Sequence, residues 1–174
     1  SVIQEGLAVI TEVVTFSSNP ARMLKITNRV IALDMVIQGA DFLDIYNYFL
    51  DCNLSEEDSY NQAVRIFRGS TPTGGPFTKD LSYAKGFVLI YNYIRFAISQ
   101  RRIESIPLLF TGKLVLDDLP LLNELKDRAI LTDPVYLPQP FRDLAALSTW
   151  MSFSLYLNQF DLNEIQRSFR FLLT

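Results

Sequence analysis

The chain has 174 residues, 49% of them hydrophobic, with a formal net charge of −3 at pH 7 and a pI near 5.0. This length and apolar content predict a sizeable core, while the acidity argues against nucleic-acid binding and no apolar stretch is long enough to span a membrane. The absence of histidine removes the commonest general base and metal ligand, and the single cysteine, Cys52, favours a reducing, cytoplasmic location.

The N-terminal segment predicts a first helix from Val2 to Phe16. Its polar residues fall on one stripe, and the other residues form a wide apolar face typical of a core helix. Glu5 and Glu12 are two turns apart, so they project from the same side of the helix. Because an unpaired buried carboxylate is very costly, each carboxylate is either solvated or paired, and the pattern alone favours a solvated stripe.

Apolar spacing and start and stop signals predict the remaining helices. They run from Pro20 to near Gly39, from Phe42 to Leu50, from after Ser55 to Arg68, from Lys79 to Gln100, from after Asp117 or Asp118 to about Arg128, from Phe141 to Leu157 and from Asp161 to Leu172. The apolar run from Ile106 to Gly112 is either extended or one helical turn. The predicted fold class is mainly α, a compact unit of about eight helices forming one domain over residues 1–174.

A glycine-rich loop leads into the long helix that begins at Lys79. It does not fit a phosphate-binding loop, because no Lys-Ser or Lys-Thr pair directly follows the glycines and no strand precedes them. Thr78 is the expected N-cap, and Lys79 opposes the helix dipole. Together with Arg68, this helix start would suit a carboxylate. The alternative to carboxylate binding is that Lys79 lies on the surface and forms an ion pair with Asp80.

Several motifs resemble a family of bacterial proteins named for the sequence QEGLA and described as flavohemoglobin-expression-modulating. The family is related to vertebrate metallopeptidases that remove the C-terminal tyrosine of tubulin. The matching stretches appear in the family's order and cover nearly the whole chain. They are Gln4-Glu5-Gly6-Leu7-Ala8, Arg68-Gly69, Gly75-Pro-Phe-Thr-Lys-Asp80 with Tyr83 and Gly86, Leu109-Phe-Thr-Gly-Lys113, and Asp118-Leu-Pro120.

The resemblance implies zinc peptidase chemistry of the gluzincin type. In the family, an upstream HExxxH helix supplies two histidine ligands and a general base, and the glutamate of QEGLA supplies the third ligand, which Glu5 matches. Three protein ligands and a water are the usual catalytic zinc arrangement. Charge, position and family match together suggest that Arg68 and Lys79, beside Thr78, bind a substrate C-terminal carboxylate. Tyr83 would then be the catalytic oxyanion donor.

The chain departs from this pattern because it contains no HExxxH motif. We therefore expect the C-terminal helical part of a carboxypeptidase-like domain, inactive alone, whose partner is the missing N-terminal half. Zinc is expected in the intact protein and not on this chain alone, and the substrate would be a peptide or protein C-terminus. The truncated surface would be apolar and could be covered by a second copy, as a homodimer.

Two other hypotheses stay open from the sequence. The first is a non-enzymatic helical interaction or regulatory module, favoured if the parent gene lacks an upstream HExxxH. The second is a bundle that binds a small molecule, favoured only by a closed apolar cavity. Neither involves nucleic acid or a membrane.

Overall fold

The computed structural model describes residues 1–157, and the regular structure in this range is helical. The α-helices are α1 (Val2–Val14), α2 (Pro20–Ile37), α3 (Phe42–Asp51), α4 (Glu56–Ile66), α5 (Leu81–Ser99), α6 (Leu119–Asp127) and α7 (Leu144–Leu157). Short 3-10 segments cover Thr78–Asp80, Ile103–Phe110, Leu116–Asp118 and Gln139–Phe141. The mainly-α prediction is confirmed, and the helix predicted from Asp161 to Leu172 lies outside the described residues. No helix in residues 1–157 combines the length and apolar character needed to cross a membrane.

Local capping explains why several helices begin where they do. In each case a side-chain oxygen accepts a hydrogen bond from a backbone N–H of the first turn, which is worth about 1 kcal/mol per helix. Ser1 and Gln4 form a reciprocal capping box. Gln4 N donates to Ser1 Oγ, and the terminal amine of Ser1 donates to Gln4 Oε1 at 3.2 Å. The capping residues of this kind in residues 1–157 are Ser1, Asn19, Asp41, Ser55 and, before α7, Asp143.

The start of α5 corrects the sequence prediction. Thr78 is not the N-cap of the long helix, because Thr78–Asp80 forms a 3-10 turn and α5 begins only at Leu81. The residue before the turn, Phe77, makes no side-chain capping bond. Instead its N–H donates to the carbonyl of Ile66 at 2.7 Å. The segment is therefore positioned by the end of α4 and not by its own first turn.

The chain folds into two compact units. The first contains Ser1–Asn92 and Gly112–Asp118, and its main core lies between α2, α3 and α4. The core residues are Ala32, Leu33, Val36, Ile45, Phe49, Ala63, Ile66 and Phe67. The second contains Tyr93–Thr111 and, among the described residues, 119–157; there α6 and α7 pack on the 3-10 segment Ile103–Phe110. The single-domain expectation stays a prediction.

Two glycines allow α1 and α5 to touch through their backbones. A Cβ added to Gly6 would overlap the carbonyl group of Gly86. A Cβ added to Gly86 would lie 2.7 Å from the amide nitrogen of Gly6, closer than real Cβ atoms approach a nitrogen. Only glycine fits at such a crossing. The contact places Glu5, next to Gly6, close to Tyr83, which precedes Gly86 by about one turn.

Candidate functional site

A cavity of about 300 Å³ opens in the first unit, lined by α2, α4, the Thr78–Asp80 turn and the start of α5. Its wall is unusually basic for an acidic chain. The lining residues are Arg22, Lys25, Ile26, Arg29, Arg65, Asp80 and Tyr83. The four from α2 recur at helical spacing, so they form one stripe along the cavity.

The carboxylate of Asp80 organises two of these cations. Its side chain is only 3% exposed, and both oxygens accept from Arg65, at 2.6 Å from Nε and 2.8 Å from Nη2. The Nε of Arg29 lies 3.8 Å from the same carboxylate. The hydrogen bond between Arg65 and Asp80 is the main cause that raises the pKa of Arg65. A bidentate pair of this kind is strong and fixes the orientation of the guanidinium.

Arg29 is the most deeply placed cation of the cavity. Its side chain is 11% exposed, and its Nε donates to Gln62 Oε1 at 2.9 Å. Burial, followed by the positive charge of Arg65, lowers the pKa of Arg29 below its usual value, although the charge of Asp80 opposes the shift. Since four cations and one carboxylate line the cavity, a bound anion would be stabilised there.

The two carboxylates of α1 have different partners. Glu12 accepts from Arg22 at 3.0 Å and 3.3 Å, and this hydrogen bond raises the pKa of Arg22. Glu5 is half-buried, and it lies close enough to Tyr83 to raise the pKa of that hydroxyl. Neither carboxylate is fully solvated, although the residue pattern alone favours that: Glu12 is paired with an arginine, and Glu5 is half-buried beside a tyrosine.

We expect Glu5→Gln to lower the pKa of Tyr83 towards 10.0. Partial burial raises this pKa first, and then the charge of Glu5 and its hydrogen bond; glutamine keeps an acceptor oxygen but removes the charge. Because folding raises the pKa of Tyr83, the protonated tyrosine stabilises the folded protein below about pH 10. This stabilisation is lost as the pH rises through the pKa that Tyr83 has in the folded protein. The measurement is an NMR titration of tyrosine ring carbons, with Tyr83→Phe assigning the signal. Glu12→Gln should leave the midpoint unchanged, and an unchanged midpoint in Glu5→Gln would contradict the pairing.

The structure brings together only some of the sequence-predicted site residues. Glu5 and Tyr83 are paired, and Tyr83 lines the cavity. Arg68 is exposed, with its guanidinium 5.6 Å from the centre of the Phe77 ring. Thr78 and Lys79 are also exposed, and none of these three lines the cavity. Their role in substrate binding stays a prediction.

The alternative pairing of Lys79 with Asp80 is wrong, because Asp80 is bound by arginines from α2 and α4. Sequence reasoning missed those arginines. One signal was available: Arg22 and Arg29 are seven residues apart and therefore share a helix face. Nothing local links that face to Arg65, 36 residues further along the chain.

The described residues alone do not fit a catalytic zinc site, which normally uses three protein ligands and a water. In residues 1–157 no group of three or more histidine, cysteine, aspartate or glutamate side chains is placed to hold a metal ion. Glu5 offers a single carboxylate, and it lies near Tyr83. Zinc in the intact protein stays a prediction.

Comparison with known proteins gives one family. The family model described as microtubule-associated tyrosine carboxypeptidase matches residues 1–159, a range that contains the cavity and all the helices given above. No curated protein and no solved structure gives a significant match.

Proposed function

The chain belongs to the microtubule-associated tyrosine carboxypeptidase family, and we propose that its basic cavity accordingly binds the C-terminal carboxylate of a peptide or protein substrate. The family assignment agrees with the resemblance seen in the sequence. A carboxypeptidase must distinguish a free terminal carboxylate from an internal peptide bond. The observation that carries the proposal is the surplus of cations around the cavity, where Asp80 is the only acidic lining residue among those described.

The arginines have separate tasks in this proposal. Arg65 is held in one orientation by two hydrogen bonds to Asp80. It therefore forms part of the cavity wall and contributes positive charge to it. Arg29 is held through Nε by Gln62, and a guanidinium fixed in this way still has two terminal amino groups to donate to a carboxylate. Arg29 is therefore the residue we assign to the substrate carboxylate.

Glu5 and Tyr83 are proposed to act beside this site. Following the family resemblance, Glu5 would be one zinc ligand in the intact protein, with the other ligands coming from outside the described residues. Tyr83 would donate to the oxygen that becomes negatively charged during peptide hydrolysis. Their proximity supports this proposal, because the glycine crossing of α1 and α5 brings Glu5 close to Tyr83, which lines the cavity. The chain alone would bind substrate without cleaving it.

We expect Arg29→Met to weaken binding of a peptide with a free C-terminus by about 10- to 100-fold. Loss of a hydrogen bond to a charged group is worth about 1.5–3 kcal/mol, and each 1.4 kcal/mol is a factor of ten in affinity. The probe is the N-acetylated hexapeptide Ala-Ala-Leu-Ala-Ala-Tyr, which ends in tyrosine as the family name suggests. Its Kd is measured by NMR titration of the 174-residue chain. The amidated peptide should bind the unmodified chain as weakly as the free acid binds the variant.

Arg68→Met is the matched control, since this arginine is exposed and outside the cavity. If Arg68→Met or Lys79→Met weakens binding and Arg29→Met does not, the carboxylate is bound at the helix start predicted from the sequence. If amidation changes nothing, recognition of a terminal carboxylate is wrong. In that case the non-enzymatic interaction module becomes the better hypothesis, and an HExxxH motif upstream in the parent gene should be absent.

A further inference from the structure

A second cavity of about 250 Å³ lies in the same unit, on the flank of α2 that faces α3 and α4. Leu24, Phe49 and Leu54 give it an apolar wall. Two carboxamide side chains, Asn28 and Gln62, also line it, and both residues are only 7% exposed. Lys25 and the exposed Asp58 also line the cavity. A cavity with an apolar wall and a few polar groups is the usual form of a binding site.

Asn28 is the informative residue of this cavity. Gln62 is satisfied by Arg29, whereas the side chain of Asn28 forms no hydrogen bond with any residue that the structure describes. Asparagine is also a poor residue for a helix interior, and Asn28 lies in the middle of α2. The polar atoms of Asn28 are not among the fully buried side-chain atoms that lack a partner in the described residues, and the residue lines the cavity. Its donor and acceptor are therefore available to a ligand in the cavity.

The second cavity adjoins the first. Lys25 lines both, and the hydrogen bond between Gln62 and Arg29 joins their walls. Each α2 residue that lines the second cavity comes one position before a residue that lines the first, as Asn28 comes before Arg29. One position along an α-helix is a rotation of about 100° around the helix axis. At the side-chain radius of a helix this corresponds to about 10 Å around the surface, or about three residues of extended chain.

We propose that the second cavity binds the backbone of the substrate about three residues before its C-terminus, an inference that rests on carboxylate binding in the first cavity. The carboxamide of Asn28 accepts from a peptide N–H and donates to a peptide carbonyl, the two groups that each backbone unit presents. The neighbouring substrate side chain packs on Leu24, Phe49 and Leu54. A substrate with an apolar residue near that position is therefore preferred.

The test compares two N-acetylated peptides with free C-termini, Ala-Tyr and Ala-Ala-Leu-Ala-Ala-Tyr, titrated by NMR into the full chain. The dipeptide reaches only the first cavity, so the hexapeptide should bind at least tenfold more tightly. Asn28→Ala should remove this advantage, leave the dipeptide Kd unchanged and not lower the melting temperature, because the lost amide has no partner in the described chain. Asn61→Ala, an exposed position on α4, is the control and should behave like the unmodified protein.

The outcomes separate the two proposals. Equal affinity of both peptides, with amidation still weakening binding, would overturn the second cavity and leave the first intact. A length advantage that survives Asn28→Ala would also overturn it. Dipeptide binding that does not respond to amidation would instead refute the carboxylate site. A fall in melting temperature in Asn28→Ala, with the length advantage unchanged, would make Asn28 a structural residue.

Discussion

Gly6→Ala is expected to lower the free energy of unfolding by about 3 kcal/mol, the upper part of the range for overpacking. The added methyl group would overlap the backbone carbonyl of Gly86. A side chain can rotate away from such a clash, but a helix backbone cannot, so α1 and α5 must move apart. The measurement is urea unfolding followed by circular dichroism. Gly75→Ala is the matched control, since its Cβ would meet nothing within 4 Å, and it should change stability by less than about 0.5 kcal/mol.

Gly86→Ala probes the same crossing from the other helix. Its added Cβ would approach the carbonyl of Val2 and the amide nitrogen of Gly6, so a similar loss is expected. The double variant should lose clearly less than the sum of the two, because once the helices have separated the second methyl group meets less resistance. Stability within about 1 kcal/mol of the unmodified chain for either single variant would mean that α1 and α5 do not meet at these glycines.

Asp80→Ala should destabilise the chain by about 3 kcal/mol, because removing one partner of a buried ion pair leaves the other charge uncompensated. Arg29, 11% exposed, would be left beside Arg65 without the carboxylate that separates them. Arg65 itself is 38% exposed, so water limits the effect to the lower end of the range. The measurement is again urea unfolding, and the variant should also lose peptide affinity.

The control for Asp80 is an ion pair of similar length at the surface. Asp133 accepts from Lys126 at 2.6 Å, but its side chain is 51% exposed, so Asp133→Ala should cost less than about 1 kcal/mol. A second variant, Asp80→Asn, keeps the size and one acceptor oxygen and should fall between alanine and the native residue. Equal effects of Asp80→Ala and Asp133→Ala would show that burial of the Asp80 pair adds nothing to stability.

Features determined by neighbouring residues were predicted well from the sequence. The signals at Pro20, Asp41 and Ser55 gave correct helix starts because a capping interaction involves only the first turn. The Thr78 cap was wrong for the converse reason. A backbone hydrogen bond from Phe77 to the end of α4 fixes that turn, and such a long-range contact leaves no pattern in the adjacent residues.

In the candidate site, too, motifs in the sequence identified some residues, while residues brought together by long-range packing were missed. Glu5 and Tyr83 were singled out from family motifs, and the structure places them together. The arginines of the cavity were overlooked, because a cation on a helix is most often solvated. Their proximity depends on how α2 packs against α4, and this packing is determined by apolar residues on other faces of the two helices. Charge pattern alone could not reveal it.

The basic stripe on α2 also has a practical consequence for any experiment on this protein. Small anions such as phosphate or chloride would compete with a peptide for the guanidinium groups of Arg22 and Arg29, and added salt would screen the attraction over about 8–10 Å at ordinary ionic strength. Apparent peptide affinity should therefore vary with buffer composition, even though the overall charge of −3 suggests a chain that repels anions. Local concentration of one sign of charge, and not the sum over the molecule, governs what enters the cavity.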